Sequence, residues 1–269
     1  MGKKKITALI LSMVMAFTPA IPAAAKDSVP ETDIYQYSAE KSMAANDAQD
    51  TSNVKPSQKT SKNIEGWKII DGHRCYLNSK GKKVTGLQKI GKYRYYFNSK
   101  GILITNKKYY KINGRYYKIN SKGVVTSFSE VENLAAARLD KCGGNLRKAF
   151  NWSASLMYTG YVPVKKKTPE YYGIYGFKTG SGDCYVMAST FYWMAKIAGY
   201  DAHYVKGYFQ KSNHQKGAHA WVEIDMKSGS KTKTYVYDPN FQKEYKLNGY
   251  KLTYGAKNTL KYVNYKRVN

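Results

Sequence analysis

Three residues of this sequence have the types and spacing of a thiol-based relay: Cys184, His219 and Asp238. Cys184 stands at the front of the apolar run SGDCYVMASTFYWMAKIAGY, just after a glycine-containing turn. Asp183 is a good N-cap and Gly199 a good C′ stop, so the residues between them are expected to form a helix with Cys184 at its first position. Apolar residues cover nearly all sides of that helix, which is the pattern of a buried one. At its first position, unpaired backbone N–H groups and the positive end of the dipole favour a thiolate over a thiol. The thiolate is the nucleophilic form of cysteine. A free cysteine can also serve simply as a small buried hydrophobe, but packing alone gains nothing from a helix start.

A thiolate nucleophile needs a base and a group that orients the base. Downstream, DAHYVKGYFQ and AHAWVEID alternate as strands, joined by the polar loop KSNHQKG. TYVYDPN reads as a third strand, with Asp238 at its end and Pro239 terminating the pairing. Consecutive antiparallel hairpins bring His219, at the start of one strand, and Asp238, at the end of its neighbour, to the same edge of the sheet. That edge suits a Cys–His–Asp relay, with the imidazole near sulfur and the carboxylate fixing its tautomer. His203, inside a strand, and His214, in a lysine-flanked loop, are the alternative bases. Asp238 could instead be a turn-former before Pro239. Cys142, next to Gly143 and Gly144, reads as structural, and Cys75–Cys142 is an open possibility for a disulfide whose geometry sequence does not reveal. Three cysteines cannot all pair within one chain.

The elements around these residues belong to an exported chain. MGKKK is a basic start, ITALILSMVMAF a short apolar core and Ala23–Ala25 a small-residue cleavage site, so residues 1–25 read as a signal peptide. The apolar core is short for a membrane span and no second one follows, so no transmembrane anchor is expected. Residues 26–62 are polar and without apolar periodicity, which makes them a disordered linker. Lys plus Arg number 45 against 18 Asp plus Glu, a net charge of +27. On a secreted protein this points to an anionic surface such as a bacterial wall rather than to nucleic acid. Most of the cations are lysines, which lack the bidentate fork of arginine. The shortage of acids argues against a calcium site, no Cys/His metal spacing occurs, and no cofactor is implied.

Residues 63–127 contain a repeat. KIIDGHRCYLNSKG, KIGKYRYYFNSKG and KINGRYYKINSKG each end on Asn-Ser-Lys-Gly after an aromatic cluster. A period near 20 residues suits a β-hairpin unit stacked in a solenoid, because a single hairpin is not stable alone. From about Ile64 to Ser127 these residues resemble the wall-binding repeats of choline- and glucan-binding proteins. The resemblance implies ligand contacts from Trp67, Tyr76, Tyr95, Tyr96, Tyr116 and Tyr117, through stacking or cation–π geometry. Only the first copy carries the tryptophan, and Cys75 falls where the third copy has Tyr117. The tyrosines could also do no more than hold the hairpins together.

From residue 128 to 269 helical patterning takes over. SEVENLAAARLDKC has acids in its first turn and GNLRKAFNWSASLMY has apolar residues at helical spacing. A loop with Pro163 and Pro169 follows, then a glycine-rich stretch to Gly182. The blocks GDCYVMASTFYWMAKIAGYDAHYVKG, HAWVEI and YVYDPN, in that order, resemble the transglutaminase-like superfamily over roughly Leu134 to Asn240. The expected fold class is therefore α+β: a transglutaminase-like, papain-like domain with the cysteine on a helix N-terminus packed on an antiparallel sheet, after the hairpin solenoid. The resemblance implies Cys184 as nucleophile, His219 as base and Asp238 as orienting acid. It also implies a second oxyanion donor beside the Cys184 amide, for which Trp152, Tyr171 and Tyr172 are candidates. It further implies chemistry through a thioester. The activity expected is that of a secreted, wall-associated cysteine peptidase or amidase acting on peptide or peptidoglycan amide bonds. An amine-accepting cross-linker and a non-enzymatic wall adhesin are the alternatives. Partners are cell-wall polymers (peptidoglycan, teichoic acid or glycan) and a peptide or protein substrate.

Overall fold

The computed structural model describes residues 64–210 and 213–268. The expected signal peptide and linker lie outside the described residues. The first part of the described chain is three hairpins: β1 (Gly66–Ile70) with β2 (His73–Leu77), β3 (Gly86–Ile90) with β4 (Tyr93–Phe97), and β5 (Lys107–Ile112) with β6 (Arg115–Ile119), to which β7 (Val125–Ser127) adds a third strand. After each hairpin the Asn-Ser-Lys-Gly word performs one job three times. The Asn78 carboxamide oxygen accepts the N–H groups of Lys80 and Lys82, each at 3.0 Å. Asn98 does the same for Lys100 and Ile102, and Asn120 for Lys122 and Val124. The glycine closing each word has a positive φ of 71°, 71° or 82°, which an L side chain adopts only with strain. Successive hairpins are also joined through the backbone, as where Leu103 N–H reaches the Arg74 carbonyl at 2.9 Å.

Helices α1 (Glu130–Lys141) and α2 (Leu146–Ser155) follow. Ser129 and Glu132 form a capping box on α1, satisfying donors at both the cap and the first turn. The short strand β8 (Met157–Tyr158) pairs in parallel with β9 (Ser181–Gly182). Between them lies α3 (Pro169–Thr179), where the sequence pattern suggested loop and glycine-rich chain. Pro169 opens this helix, where its missing N–H costs nothing. Gly176 brings α3 onto its neighbour: a Cβ there would come within 2.5 Å of Val186.

That neighbour is α4 (Cys184–Ile197), capped by Asp183, whose side chain accepts the Val186 N–H at 3.1 Å. It packs on a four-stranded antiparallel sheet in the order β12 (Lys231–Tyr237), β11 (Lys216–Ser228), β10 (Asp201–Gln210) and β13 (Lys261–Arg267). The buried side of α4 meets Phe150, Tyr204, Val222, Ile224 and Tyr237, and Phe150 and Phe191 meet edge to face at 5.2 Å. Strand β11 starts at Lys216, so the loop before it is shorter than the sequence suggested. A further helix, α5 (Pro239–Tyr245), follows β12 directly, where only a turn was expected. The fold thus has five helices and several small sheets among the described residues, and the α4-on-sheet layer carries the candidate chemistry.

The last hairpin is bound to the helices. Tyr116 is buried, donates its hydroxyl to Asp140 of α1 at 2.7 Å and takes Asn133 Oδ1 on its backbone N–H at 2.9 Å. Lys108 on β5 donates to the carbonyl of Ala198, at the end of α4, at 2.8 Å.

Candidate active site

Cys184 is the first residue of α4 and only half buried, so its sulfur can meet a ligand. All three cysteines are unpaired. Cys75 lies fully buried, and burial pushes the Cys142 thiol up against the opposing pull of Arg138 and Lys148.

His219 sits on β11 opposite Gly207 of β10. Its Nε2 lies 2.7 Å from Asp238 Oδ2, and both side chains are buried. Cys184 is close enough to help hold the imidazole in its charged form. Burial pulls the imidazole pKa down, but the charge and hydrogen bond of Asp238, aided by Cys184, outweigh it and push the value up to about 10. The neighbouring carboxylate therefore favours the protonated form of the ring. Aromatic side chains exclude water from it: Phe209 edge-on at 5.6 Å, and Trp221 and Tyr262 near-parallel at 6.0 and 6.4 Å.

Asp238 ends β12 and caps α5. Its Oδ1 accepts the Phe241 N–H at 2.9 Å, and its Oδ2 accepts the Tyr262 hydroxyl at 2.9 Å as well as His219. The turn-forming and imidazole-orienting readings of this residue therefore coexist, because a carboxylate has two oxygens to divide between them. Tyr262, on β13, carried no local signal in the sequence. It lies 24 residues beyond Asp238, in a strand where lysine and tyrosine are mixed.

Three tyrosines are linked at the start of α4. Tyr172 and Tyr185 stack at 5.5 Å, and the Tyr204 hydroxyl donates to the Tyr185 carbonyl at 3.1 Å. Burial first, then the charges of Asp183 and Cys184, raise Tyr172; burial and Cys184 push Tyr185 up to about 12. Both remain hydrogen-bond donors across the physiological range. Of the three oxyanion candidates, Tyr172 is the one that stacks on Tyr185, the residue that follows Cys184. Trp152 stacks on Phe177 at 5.7 Å beneath the Arg138 guanidinium. Tyr171 makes no described contact with the site.

The alternative bases lie elsewhere. His214 takes a left-handed conformation in the turn before β11. His203 Nε2 is 3.4 Å from both Asp201 and Asp225, and these three are the one group among the described residues able to bring metal-ligating atoms together. Arg267 already takes both oxygens of Asp225, at 2.8 and 2.9 Å, and Thr234 takes one of them at 2.6 Å. A divalent ion there would have to share its carboxylate with a guanidinium.

The aromatics of the hairpins fall into two groups. Trp67 meets Tyr76 and Tyr95 edge-on at 5.4 and 4.9 Å, with the Arg74 guanidinium 4.1 Å over its ring. Tyr96 packs against Tyr110 and Tyr117 lies under Arg94. Tyr116 instead faces α1, as described above. Arg74, Tyr93, Tyr95, Ser121 and Lys122 line a groove of about 450 Å³ between hairpins.

Residues 134–238 match the family model of the Transglutaminase-like superfamily, so this stretch is a transglutaminase-like domain. Cys184, His219 and Asp238 all lie within it. No curated protein matches the chain. Among solved structures, a choline binding domain from Streptococcus pneumoniae is 29% identical over 23% of this chain and 74% of its own, with a TM-score of 0.22. Choline binding protein F of the same organism is 27% identical over 23% of this chain and 28% of its own, with a TM-score of 0.16. The truncated alternansucrase of Leuconostoc mesenteroides is 22% identical over 23% of this chain and 5% of its own, with a TM-score of 0.20. The chain spans only a small part of the length of the last two.

Proposed function

We propose that this protein is a secreted, cell-wall-associated cysteine hydrolase that cleaves peptide or peptidoglycan amide bonds through a thioester. The observation that carries the reading is the buried His219–Asp238 pair at 2.7 Å, on an imidazole that Cys184, at the start of α4, helps to keep charged. An imidazolium raised to about 10 stabilises a thiolate partner by charge and holds the proton that a leaving amine needs. The sulfur attacks the amide carbonyl and forms the C–S bond. The oxyanion is met by the Cys184 backbone N–H and by a donor such as Tyr172. Nδ1 of His219 then gives its proton to the departing nitrogen as the C–N bond breaks. Water, deprotonated by the same nitrogen, resolves the thioester to a carboxylic acid and restores the sulfur.

The hairpins supply the wall-binding part of the proposal. Between residues 64 and 127 only Glu65 and Asp71 are acidic, amid many lysines, so the surface suits an anionic polymer. The exposed Tyr93 and the half-buried Tyr95 on the groove between hairpins add aromatic surface for sugar rings to stack on. The leader-like start of the chain fits export.

The test is to incubate the mature protein with Gram-positive peptidoglycan and with acyl-peptide amides, and to look by mass spectrometry for an acyl adduct on Cys184 and for released amine. Release of acid supports hydrolysis. Incorporation of a labelled primary amine into the product shifts the assignment to cross-linking, which shares the thioester. Failure of every acyl donor to modify an alkylatable Cys184 would leave the adhesin reading.

A further inference from the structure

A groove of about 340 Å³ is lined by chain neighbours of the candidate nucleophile and base: Tyr185, Lys206, Gly207, Tyr208, Ala218 and Tyr265 among others. Three of these are tied to the relay. Tyr185 follows Cys184 in the chain, Ala218 precedes His219, and Gly207 pairs with His219 across the two strands. Lys206 pairs with Ala220, so its side chain lies on the face of the sheet that meets α4, opposite to the face of the Gly207–His219 pair.

Lys206 is held in an unusual way for a lysine on so basic a chain. Its ammonium lies 5.6 Å from the ring centres of both Tyr172 and Tyr185 and 5.9 Å from that of Tyr204. These are the tyrosines whose hydroxyls feel the charge of Cys184. It donates to the Lys167 carbonyl at 2.7 Å, which fixes a flexible stem in one place. None of the ion pairs among the described residues includes Lys206. Burial first, then the neighbouring charges of Lys167 and Lys266, lower its pKa. A positioned cation that has π faces and a carbonyl around it, but no carboxylate, is a site for an external anion.

We infer that this groove selects substrates carrying a carboxylate close to the scissile amide, and that Lys206 receives it. The inference rests on the proposed hydrolase reading and names its substrate class: acidic peptides, with the carboxylate either on a side chain or at a chain end. The aromatic walls of Tyr185, Tyr208 and Tyr265 hold the apolar part of the same residue, while Lys206 fixes its charged end.

Two measurements on the full chain separate this inference from the reading beneath it. The first is binding. The Cys184→Ala protein is titrated against fluorescein-labelled peptides that differ only in Glu, Gln or a Glu methyl ester, and against a matched pair with a free or amidated C-terminus. The expected result is at least tenfold tighter binding of one acidic member over its neutral partner, lost in Cys184→Ala/Lys206→Met and partly kept in Cys184→Ala/Lys206→Arg. The second is turnover of the same peptides as coumarylamides by the chain with Cys184 intact, with the acidic-to-neutral ratio of kcat/KM falling towards one in Lys206→Met. Lys231→Gln, on the far part of the sheet, should leave that ratio in place. Acid-selective binding that depends on Lys206 without any turnover would uphold the groove and sink the hydrolase reading. Equal binding of acidic and neutral members, or a preference that survives in folded Lys206→Met, would overturn the inference whatever the turnover.

Discussion

Tyr262 donates its hydroxyl to Asp238 Oδ2 at 2.9 Å, the same oxygen that His219 Nε2 reaches at 2.7 Å. Two donors on one carboxylate oxygen fix its position, and Tyr262 also lies near-parallel to the imidazole ring at 6.4 Å. Replacing Tyr262 by Phe removes one hydrogen bond to a charged group while keeping the ring. A bond of that kind contributes about 1.5–3 kcal/mol, so kcat/KM should fall by about tenfold or more. The accompanying sign of a positioning role is a downward move of the His219 titration, read by NMR. An unchanged titration with lost stability would make the contact structural only.

Cys184 should react with iodoacetamide at neutral pH far faster than the other two thiols. Cys75 is fully buried, and Cys142 is held protonated by burial. His219→Ala should slow the reaction at Cys184 by removing its imidazole partner. Peptide mapping after partial alkylation measures all three rates at once, and equal rates in the folded protein would remove the case for a nucleophile.

Asp238→Asn keeps an oxygen for the Phe241 N–H and removes the charge beside His219. The imidazole then loses the interaction that raises it most strongly, and turnover should fall by about three orders of magnitude. Urea unfolding should remain cooperative, with a loss of about 1–3 kcal/mol for the altered buried bonds. Near-normal turnover would reduce the site to a cysteine–histidine dyad.

The His219 shift also predicts a pH dependence of stability. Its value rises from an ordinary 6.5 to about 10 in the folded chain, so folding favours the protonated ring. That contribution is complete below the unfolded value and is lost as pH rises through the folded one. Unfolding free energies of the native chain and of His219→Ala, measured from about pH 6 to about pH 10, should therefore converge as pH rises. A constant gap across that range would mean that the ring is already neutral at pH 7.

Wall binding by the full chain should have two components. Raising salt should release part of the bound protein from Gram-positive walls, because the field of exposed lysines is screened over about 8 Å at physiological ionic strength. Trp67→Ala should diminish the salt-resistant remainder, since Trp67 packs against Tyr95 at the groove between hairpins. A salt-resistant fraction indifferent to Trp67 would assign that component elsewhere.

The parts of the site legible in the sequence are those with local punctuation. Asp183 before an apolar run and Gly199 after it delimited α4, and the alternation of the next two segments gave β10 and β11. Hairpin geometry then put His219 and Asp238 at one edge of the sheet, and the ordered blocks around Cys184, His219 and Asp238 carried the family resemblance. What stayed hidden depends on distant partners. Gly173 and Gly176 read as loop residues because their purpose, close contact with Trp193 and Val186, exists only once α3 is folded onto α4. Asp238–Pro239 read as the end of a strand, although the same pair is also a good start for a helix, and α5 follows. Tyr262 and Lys206 owe their places to the β10–β13 pairing, which joins residues more than fifty positions apart and has no short-range signature.

The attachment of the third hairpin to the helices, through Tyr116 with Asp140 and Lys108 with the end of α4, sets how such a protein can work on a solid substrate. A hinge at that junction would let the sulfur sweep a volume around its anchor. A bonded junction gives it a fixed bearing and a fixed stand-off from whatever strand the hairpins grip. Processing would then leave a pattern of cuts at one characteristic offset from the gripped unit, with each further cut requiring release and a new grip.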